Sequence, residues 1–243
     1  MKNTIESNQK CIIVEGNIGA GKTTFLKMVK KYLNLQIVYE PLDKWQNVNG
    51  TENLLAQFYQ DTQRWAYTFQ TYAFVTRVLA QEEGARNNPY AVQLLERSVY
   101  SDRYCFARNC FEMGTMTALE WKLYQEWFSW LVESYTIKPD GFIYLQTDPK
   151  VCKQRIVSRA RKDDEDVPLE YLEKLHQKHE EWLVHKIGVM PYLKETPVLI
   201  LPCDKDFEND IAEQEKHVEK IVEFLKFSQN SNEIQKQITS ITL

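Results

Sequence analysis

The amino-acid sequence predicts an α/β fold: a five-stranded parallel sheet with helices on both faces. Five short runs are apolar along their whole length, which is typical of strands buried on both faces of a parallel sheet. Longer segments of helical pattern separate the runs, as in a doubly wound α/β layer. The runs are CIIVEG at 11–16, QIVYEP at 36–41, AVQLLER at 91–97, GFIYLQT at 141–147 and PVLILP at 197–202.

Composition and charge restrict the class of protein. The 243 residues are 43% hydrophobic and include 30 basic and 34 acidic residues, so the net charge is −4. We expect one domain over 1–243, with flexible tails at 1–10 and about 228–243. A net negative chain argues against nucleic acid as a general partner. No apolar run approaches the roughly 18 residues that span a membrane, so no membrane partner is expected.

The cysteines and the N-terminus bear on the compartment. The five cysteines are odd in number and include no C-x-x-C pair, which favours reduced thiols over a disulfide framework. The first residues, MKNTIESNQK, match neither a secretory signal nor an Arg-rich transit peptide. We therefore expect a cytoplasmic protein and leave a nuclear pool open.

The first strand leads directly into a phosphate-binding loop. Residues 16–23 read GNIGAGKT, which matches G-x-x-x-x-G-K-[ST] in full, and a helical pattern follows. Glycines let backbone N–H groups turn toward phosphate oxygens, and the helix N-terminus adds its dipole. Lys22 is expected to neutralise phosphate charge and the Thr23 hydroxyl to ligate Mg²⁺. The predicted nucleotide contacts here are Gly16, Asn17, Ile18, Gly19, Ala20, Gly21, Lys22, Thr23 and Thr24.

The second strand ends in Tyr39-Glu40-Pro41, beside the strand of the phosphate loop. A carboxylate at this edge faces the crevice in which open α/β sheets bind ligands. A hydroxyl acceptor needs a group to take its proton, whereas a phosphate acceptor needs none and is repelled by a carboxylate. Glu40 therefore favours a neutral hydroxyl acceptor, and a surface glutamate at a strand end is the alternative interpretation.

Between the second and third strands, residues 65–81 predict a helix. Gln70, Ala73 and Arg77 fall at i, i+3 and i+7 on one face of it. The spacing alone leaves this polar line open as a solvated stripe. The third strand ends in Glu96-Arg97-Ser98, which brings a second carboxylate to the carboxyl edge of the sheet.

After the fourth strand, an arginine cluster predicts a short lid. Arg155 and Arg159 are spaced i, i+4 on a helix, Arg161 follows, and an acidic stretch comes next. Such arginines could close over a transferring phosphoryl group, and a solvated charged face is the alternative. A second helix is expected over 168–185, with Pro168 at its first position.

Taken together, the motifs resemble those of the deoxynucleoside kinases, the family of deoxycytidine and deoxyguanosine kinase. The resemblance implies the P-loop kinase fold with its Arg-rich lid, and transfer of the γ-phosphoryl group of ATP to the 5′-hydroxyl of a deoxynucleoside in nucleotide salvage. It also implies Mg²⁺ as cofactor and a homodimer. The motifs are EGNIGAGKTTF at 15–25, EPLDKW at 40–45, NVNGTENLL at 47–55, RWAYTFQTYA at 64–73, ERSVYSDRY at 96–104, IYLQTDP at 143–149 and RIVSRARKDDEDVPLEYLEKLH at 155–176.

The resemblance also implies a role for each site residue. Glu40 matches the general base, Glu96 holds Mg²⁺ through water, and Arg97 contacts the 5′-oxygen and the phosphoryl group. Gln70 is expected to read the edge of the base, since its amide both donates and accepts. Phe69 and Phe106 are implied to sandwich the base. The other implied contacts are Trp45 and Tyr59 for the nucleoside, Arg155, Arg159 and Arg161 for the phosphates, and Asp206 and Phe207 for the donor base.

Four positions bear on the preferred substrate. Arg77 and Asp102 resemble the pair found in deoxycytidine and deoxyguanosine kinases, and a bulky polar pair disfavours the 5-methyl group of thymidine. Deoxycytidine and the purine deoxynucleosides are therefore expected to be better substrates. Phe58 stands where several relatives have Met, and Asp164 where relatives usually have Glu. The stretch between Trp45 and Tyr59 resembles the insect multisubstrate enzyme instead.

Two other functions are compatible with the phosphate loop. One is a nucleoside monophosphate kinase on the same fold, and the other is a regulatory protein that binds ATP without transferring phosphate. A switch GTPase is not favoured, because neither an N-K-x-D nor a D-x-x-G string occurs.

Overall fold

A computed structural model describes residues 10–86, 90, 92–159 and 167–227. The predicted sheet is confirmed: five strands, all parallel, lie in the order β2-β3-β1-β4-β5. Each strand falls within or beside its predicted apolar run. The strands are β1 (Lys10–Gly16), β2 (Gln36–Val38), β3 (Val92–Glu96), β4 (Gly141–Gln146) and β5 (Val198–Pro202).

The helices connect these strands and cover the sheet. The helices are α1 (Lys22–Tyr32), α2 (Leu42–Gln46), α3 (Leu54–Gln60), α4 (Thr62–Ala85), α5 (Val99–Ser101), α6 (Arg108–Glu112), α7 (Ala118–Tyr135), α8 (Pro149–Arg159), α9 (Leu169–His179), α10 (Pro191–Glu195) and α11 (Ile211–Phe227). Two segments are π-helical: Asp102–Ala107 directly follows α5, and Glu180–Val184 directly follows α9.

The hydrophobic core lies on both sides of the sheet. Because side chains alternate along a strand, Ile12 faces one side of β1 and Ile13 the other. On the first side Phe25 of α1 is fully buried, and on the second Phe74 and Phe128 bring α4 and α7 together at a ring separation of 5.8 Å. Burying each such side chain contributes about 1.5–3 kcal/mol. This packing fixes the carboxyl ends of the strands relative to one another.

Strand register brings the predicted site residues to one edge. Val14 pairs with Glu96, and Val38 pairs with Leu95, so β1, β2 and β3 end at nearly the same level. The phosphate loop, Glu40 and Arg97 follow directly after these three strand ends. The crevice expected at the carboxyl edge of an open α/β sheet is therefore formed by these segments.

The helices differ from the sequence predictions in detail. The helix expected over 65–81 runs from Thr62 to Ala85 and is capped by the Asp61 side chain. Pro168 is the N-cap of α9 rather than its first helical residue, because its ψ of 149° is extended. The predicted tails lie outside the described residues, apart from Lys10, which begins β1; Arg161 and Asp164 of the lid also lie outside them. Within the described chain, every helix is too short or too polar to cross a membrane.

Candidate active site

A cavity of about 620 Å³ opens at the carboxyl edge of the sheet. The phosphate loop and α8 line one end of it, and α3, α4 and the segment Asp102–Ala107 line the other. Most of the predicted site residues line this cavity. They are Ile18, Gly19, Gly21, Lys22, Thr23, Thr24, Glu40, Trp45, Phe58, Tyr59, Phe69, Gln70, Arg77, Glu96, Arg97, Asp102, Phe106, Arg155, Arg159, Asp206 and Phe207.

The phosphate loop is held in shape by close packing and by its lysine. Lys22 Nζ donates to the carbonyl oxygens of Gly16 at 3.1 Å and Asn17 at 2.7 Å. Gly19 has φ of +80°, and a Cβ there would lie 2.4 Å from the Cys152 oxygen, so only glycine fits. Burial lowers the pKa of Lys22 to about 7, with a smaller contribution from the charge of Arg97.

Two predicted loop residues support the loop from behind. The Asn17 amide donates to the Leu172 carbonyl at 2.8 Å and so attaches the loop to α9. Ala20 is fully buried, and its carbonyl accepts from Arg155 at 3.2 Å. Asn17, Ala20 and Gly16 therefore shape the loop without lining the cavity.

Thr23 and Glu96 form an oxygen-rich pair beside the loop. Thr23 Oγ1 donates to Glu96 Oε1 at 2.6 Å, and Glu96 Oε2 lies 3.5 Å from the Glu40 backbone nitrogen. A hydroxyl and a carboxylate suit Mg²⁺, which is commonly held by one or two carboxylates together with substrate phosphates and water. The residues present therefore fit the ion. Among the described residues, no group of three or more His, Cys, Asp or Glu side chains could hold a metal by itself.

Glu40 is held between two arginines. Its Oε1 accepts from Arg77 Nη2 at 2.6 Å and lies 3.3 Å from Arg97 Nε. Burial alone raises the pKa of Glu40, but the charges of Arg77, Arg97 and Lys22 outweigh burial and hold the pKa at about 2. Glu40 is therefore ionised at neutral pH.

Asp102, on the π-helical segment, is the second carboxylate that pairs with Arg77. Its two oxygens accept from Arg77 Nε at 3.0 and 2.8 Å. Arg77 therefore joins Asp102 to Glu40, and only 8% of its surface is exposed. Gln70 and Ala73 on the same line of α4 are 1% and 2% exposed. The structure thus excludes a solvated stripe and places this line against the cavity.

Aromatic side chains form the other end of the cavity. Phe58 and Phe69 stack with ring centroids 4.6 Å apart, and Trp45 meets Phe69 edge-on at 5.6 Å. The Trp45 Nε1 donates to Thr76 on α4 at 2.8 Å, which fixes the indole. Phe106 lies on the opposite segment, with the Arg97 guanidinium 4.8 Å from its ring centre. The walls suit a flat, partly apolar ligand.

Arg97 occupies a strained turn directly after β3. Its φ of +62° is in the left-handed region, which costs a non-glycine residue about 1–3 kcal/mol. Its backbone nitrogen donates to the Val14 carbonyl at 2.9 Å, and the side chain is buried. This conformation directs the guanidinium toward Glu40 and Phe106.

Arg155 connects the phosphate loop to the segment after β5. Besides Ala20, it donates to the carbonyls of Asp204 at 3.3 Å and Lys205 at 2.9 Å, and it lies over the Phe207 ring at 5.7 Å. Asp206 accepts from the Glu208 backbone and the Asn209 amide, and these bonds lower its pKa. Its carboxylate is therefore engaged in its own turn at the rim of the cavity.

Several residues of the site are not among those predicted from the sequence. Tyr171 on α9 and Asp204 after β5 line the cavity, and Thr76 anchors Trp45. Nothing in their local pattern sets them apart. Glu15 is fully buried on β1, and its charge within an otherwise apolar run is a signal that could have drawn attention.

Comparison with known proteins gives consistent matches. A family model described as deoxynucleoside kinase matches residues 12–226. The chain is 41% identical to deoxycytidine kinase 2 of Gallus gallus over 93% of this chain and 94% of that protein. It is 40% identical to deoxycytidine kinase of Homo sapiens (89% and 91% covered). It is also 40% identical to a mitochondrial deoxyguanosine kinase of Xenopus laevis (85% and 86% covered).

Proposed function

Because the chain belongs to the deoxynucleoside kinase family and is an enzyme that phosphorylates deoxynucleosides, we propose that it transfers the γ-phosphoryl group of Mg·ATP to the 5′-hydroxyl, with Glu40 as general base. The observation that carries this proposal is the position of Glu40. It lies between the phosphate loop and the aromatic end of the cavity, and it is ionised. An acceptor seated in the aromatic end has this carboxylate beside its reacting oxygen.

The proposed reaction is an in-line displacement. The 5′-oxygen forms a bond to the γ-phosphorus while the bond to the bridging oxygen of ADP breaks, and the hydroxyl proton passes to Glu40. Arg97 lies 3.3 Å from Glu40 and is placed to stabilise charge on the attacking oxygen and the transferring group. Bound Mg²⁺, held by Thr23 and Glu96, supplies positive charge at the phosphate oxygens.

Basic residues of the phosphate loop and α8 are placed at the donor. Lys22 Nζ is bonded to two carbonyl oxygens of the phosphate loop. When a triphosphate binds, its phosphate groups draw this ammonium group toward them. Arg155 and Arg159 line the same end of the cavity from α8. Phe207, beneath the Arg155 guanidinium, provides an aromatic surface for the donor base.

We propose that the base of the acceptor is read by Gln70, with Arg77 and Asp102 excluding a 5-methyl group. All three side chains line the cavity and are at least nine-tenths buried. A methyl group placed against a buried ion pair desolvates it without compensation. Deoxycytidine and the purine deoxynucleosides are therefore the favoured acceptors and thymidine a poor one.

We propose that the enzyme is a cytoplasmic homodimer. Leu119, Leu123, Trp127 and Trp130 form an apolar line along α7 and are 39–67% exposed. Leu79 of α4, the helix that packs against α7, is 49% exposed as well. A line of exposed apolar side chains along one helix is typical of a subunit interface. The five free, buried thiols support a reducing compartment.

The general-base assignment is tested with Glu40→Gln. This substitution keeps shape and removes the proton acceptor, so kcat should fall by roughly 10²–10⁴-fold while ATP binding, measured by calorimetry, is retained. Glu52→Gln, at an exposed acid on the same connection, is the matched control and should retain wild-type turnover. Turnover of Glu40→Gln within threefold of wild type would refute the assignment.

A further inference from the structure

We propose that Glu15 is a positioning residue that holds Arg97 in its working orientation, acting through Ser98. The inference rests on the proposed role of Arg97 in phosphoryl transfer. Glu15 does not line the cavity that the described residues form, so it has no contact with the reacting groups. It stands one residue before the phosphate loop and is bonded to the turn that carries Arg97.

Glu15 contacts this turn through a short hydrogen bond. Ser98 Oγ donates to Glu15 Oε1 at 2.6 Å, and both residues are buried. The same hydroxyl oxygen accepts from the backbone nitrogens of Tyr100 at 3.2 Å and Ser101 at 3.4 Å. Because the hydroxyl has one proton, Glu15 fixes its rotation and leaves both lone pairs for the first N–H groups of α5.

Two consecutive residues of β1 therefore hold two consecutive residues of the turn. Val14 accepts from the Arg97 backbone nitrogen at 2.9 Å, and Glu15 accepts from Ser98. Between these two bonds Arg97 has φ of +62°. A strained conformation persists only where its surroundings over-determine it. Loss of the Glu15 bond should let the turn relax and move Arg97 away from Glu40.

The charge of Glu15 is difficult to explain by stability alone. Its Oε2 has no hydrogen-bond partner among the described residues, and an apolar side chain would suit this buried position near the end of β1 better. Burial raises the pKa of Glu15 to about 7, opposed by the charges of Arg97 and Arg77 and by Ser98 and Ser101. The hydrogen bond to Ser98, which holds the turn that carries Arg97, accounts for a carboxyl group kept here at this cost.

The test is a double-mutant cycle on kcat. Glu15→Leu, which removes the acceptor of the Ser98 hydrogen bond, should lower kcat by about 10–100-fold, the size found for residues that orient metal ligands, with KM for ATP and nucleoside within about twofold. In an Arg97→Lys background the same substitution should have almost no further effect, because the group it positions is gone. In a Gln214→Ala background, which alters a residue of α11 that bonds to other segments, the same substitution should lower kcat by the same factor as in the wild type.

If Glu15 only stabilises the fold, the double-mutant cycle shows no coupling between Glu15 and Arg97. Losses of Glu15→Leu and Arg97→Lys that multiply to within about twofold, with normal wild-type turnover, overturn the positioning role and leave the proposed function intact. Absence of wild-type turnover with any deoxynucleoside overturns the proposed function and this inference together. If Glu15→Leu does not fold, Ser98→Ala and Ser98→Thr replace it. Ser98→Thr, which keeps the hydroxyl, should recover most of the turnover that Ser98→Ala loses, and equal losses would contradict the proposal.

Discussion

At the scale of single residues, Arg77 has two partners whose functions differ. It pairs with Asp102 at the proposed base-reading end of the cavity and with Glu40 at the reacting end. The residue proposed to select the substrate therefore also lowers the pKa of the proposed general base, Glu40. Substitutions at this position should change specificity and pH dependence together.

The first consequence concerns thymidine. The double substitution Arg77→Met and Asp102→Ala removes both partners of this ion pair. Neither Arg77 nor Asp102 is then left as a buried charge without the other. The vacated space should admit the 5-methyl group, and kcat/KM for thymidine should rise by at least tenfold relative to deoxycytidine. Steady-state kinetics with both nucleosides measure the ratio, and an unchanged ratio would exclude the pair from substrate selection.

The second consequence concerns pH. A neighbouring cation lowers the pKa of a carboxyl group, so removing Arg77 should raise the pKa of Glu40 from about 2, while burial continues to raise it. The base is active when ionised, so the acid limb of kcat/KM for deoxycytidine should move to higher pH in the double variant. Arg86→Met, at an exposed arginine after α4, is the control and should keep the wild-type limb. Superimposable profiles for all three proteins would contradict the electrostatic argument.

At the scale of elements, periodicity predicted regular segments better than irregular ones. All five strands follow from apolar runs, and α4 follows from its helical spacing, since both depend on local pattern. The π-helical segment that places Asp102 and Phe106 follows from no local pattern. Its extra residue per turn depends on packing between distant elements. The burial of Gln70, Ala73 and Arg77 could be seen only in the folded structure. Helical spacing places them on one face of α4 but cannot tell whether that face meets solvent or a pocket.

The segment after β5 is held by α11, which gives an element-scale prediction. Gln214 Nε2 donates to the carbonyls of Phe207 and Glu208, both at 2.9 Å, and its oxygen accepts from Tyr32 of α1. Gln214→Ala should loosen this segment and raise KM for ATP about three- to tenfold, by the size of one or two lost hydrogen bonds. The kcat should change by less than twofold.

The control for this prediction is the next residue of the same helix. Glu215 is exposed, and Glu215→Ala should leave KM for ATP unchanged. An equal KM for Gln214→Ala and wild type would show that the donor site does not depend on this support.

At the scale of the whole molecule, the apolar line on α7 predicts the assembly. Trp127 is 48% exposed at its centre, and Trp127→Glu places a charge there. This variant should be monomeric by light scattering at concentrations where the wild type is a dimer, whereas Lys122→Glu, at an exposed polar site of α7, should stay dimeric. A monomeric wild type would refute the proposed interface.

The candidate site was predictable where motifs carry chemistry and unpredictable where it depends on packing. The phosphate loop and the carboxylates at the strand ends follow from residue type and position in the sheet. The aromatic residues entered only through resemblance to a family, whereas the lid arginines were predicted from their spacing and the acidic stretch that follows them. Glu15, Tyr171 and Thr76 act through contacts between elements distant in sequence, and only the folded chain brings those contacts together.

The most direct test of the account is a comparison of acceptors. We would measure kcat/KM for deoxycytidine, deoxyadenosine, deoxyguanosine and thymidine with Mg·ATP, with dCMP as a monophosphate acceptor. The account predicts phosphorylation of deoxycytidine or a purine deoxynucleoside, weak activity with thymidine and none with dCMP, because the ionised Glu40 accepts a hydroxyl proton and repels a phosphate. Activity with dCMP alone would contradict the hydroxyl acceptor and the role of Glu40.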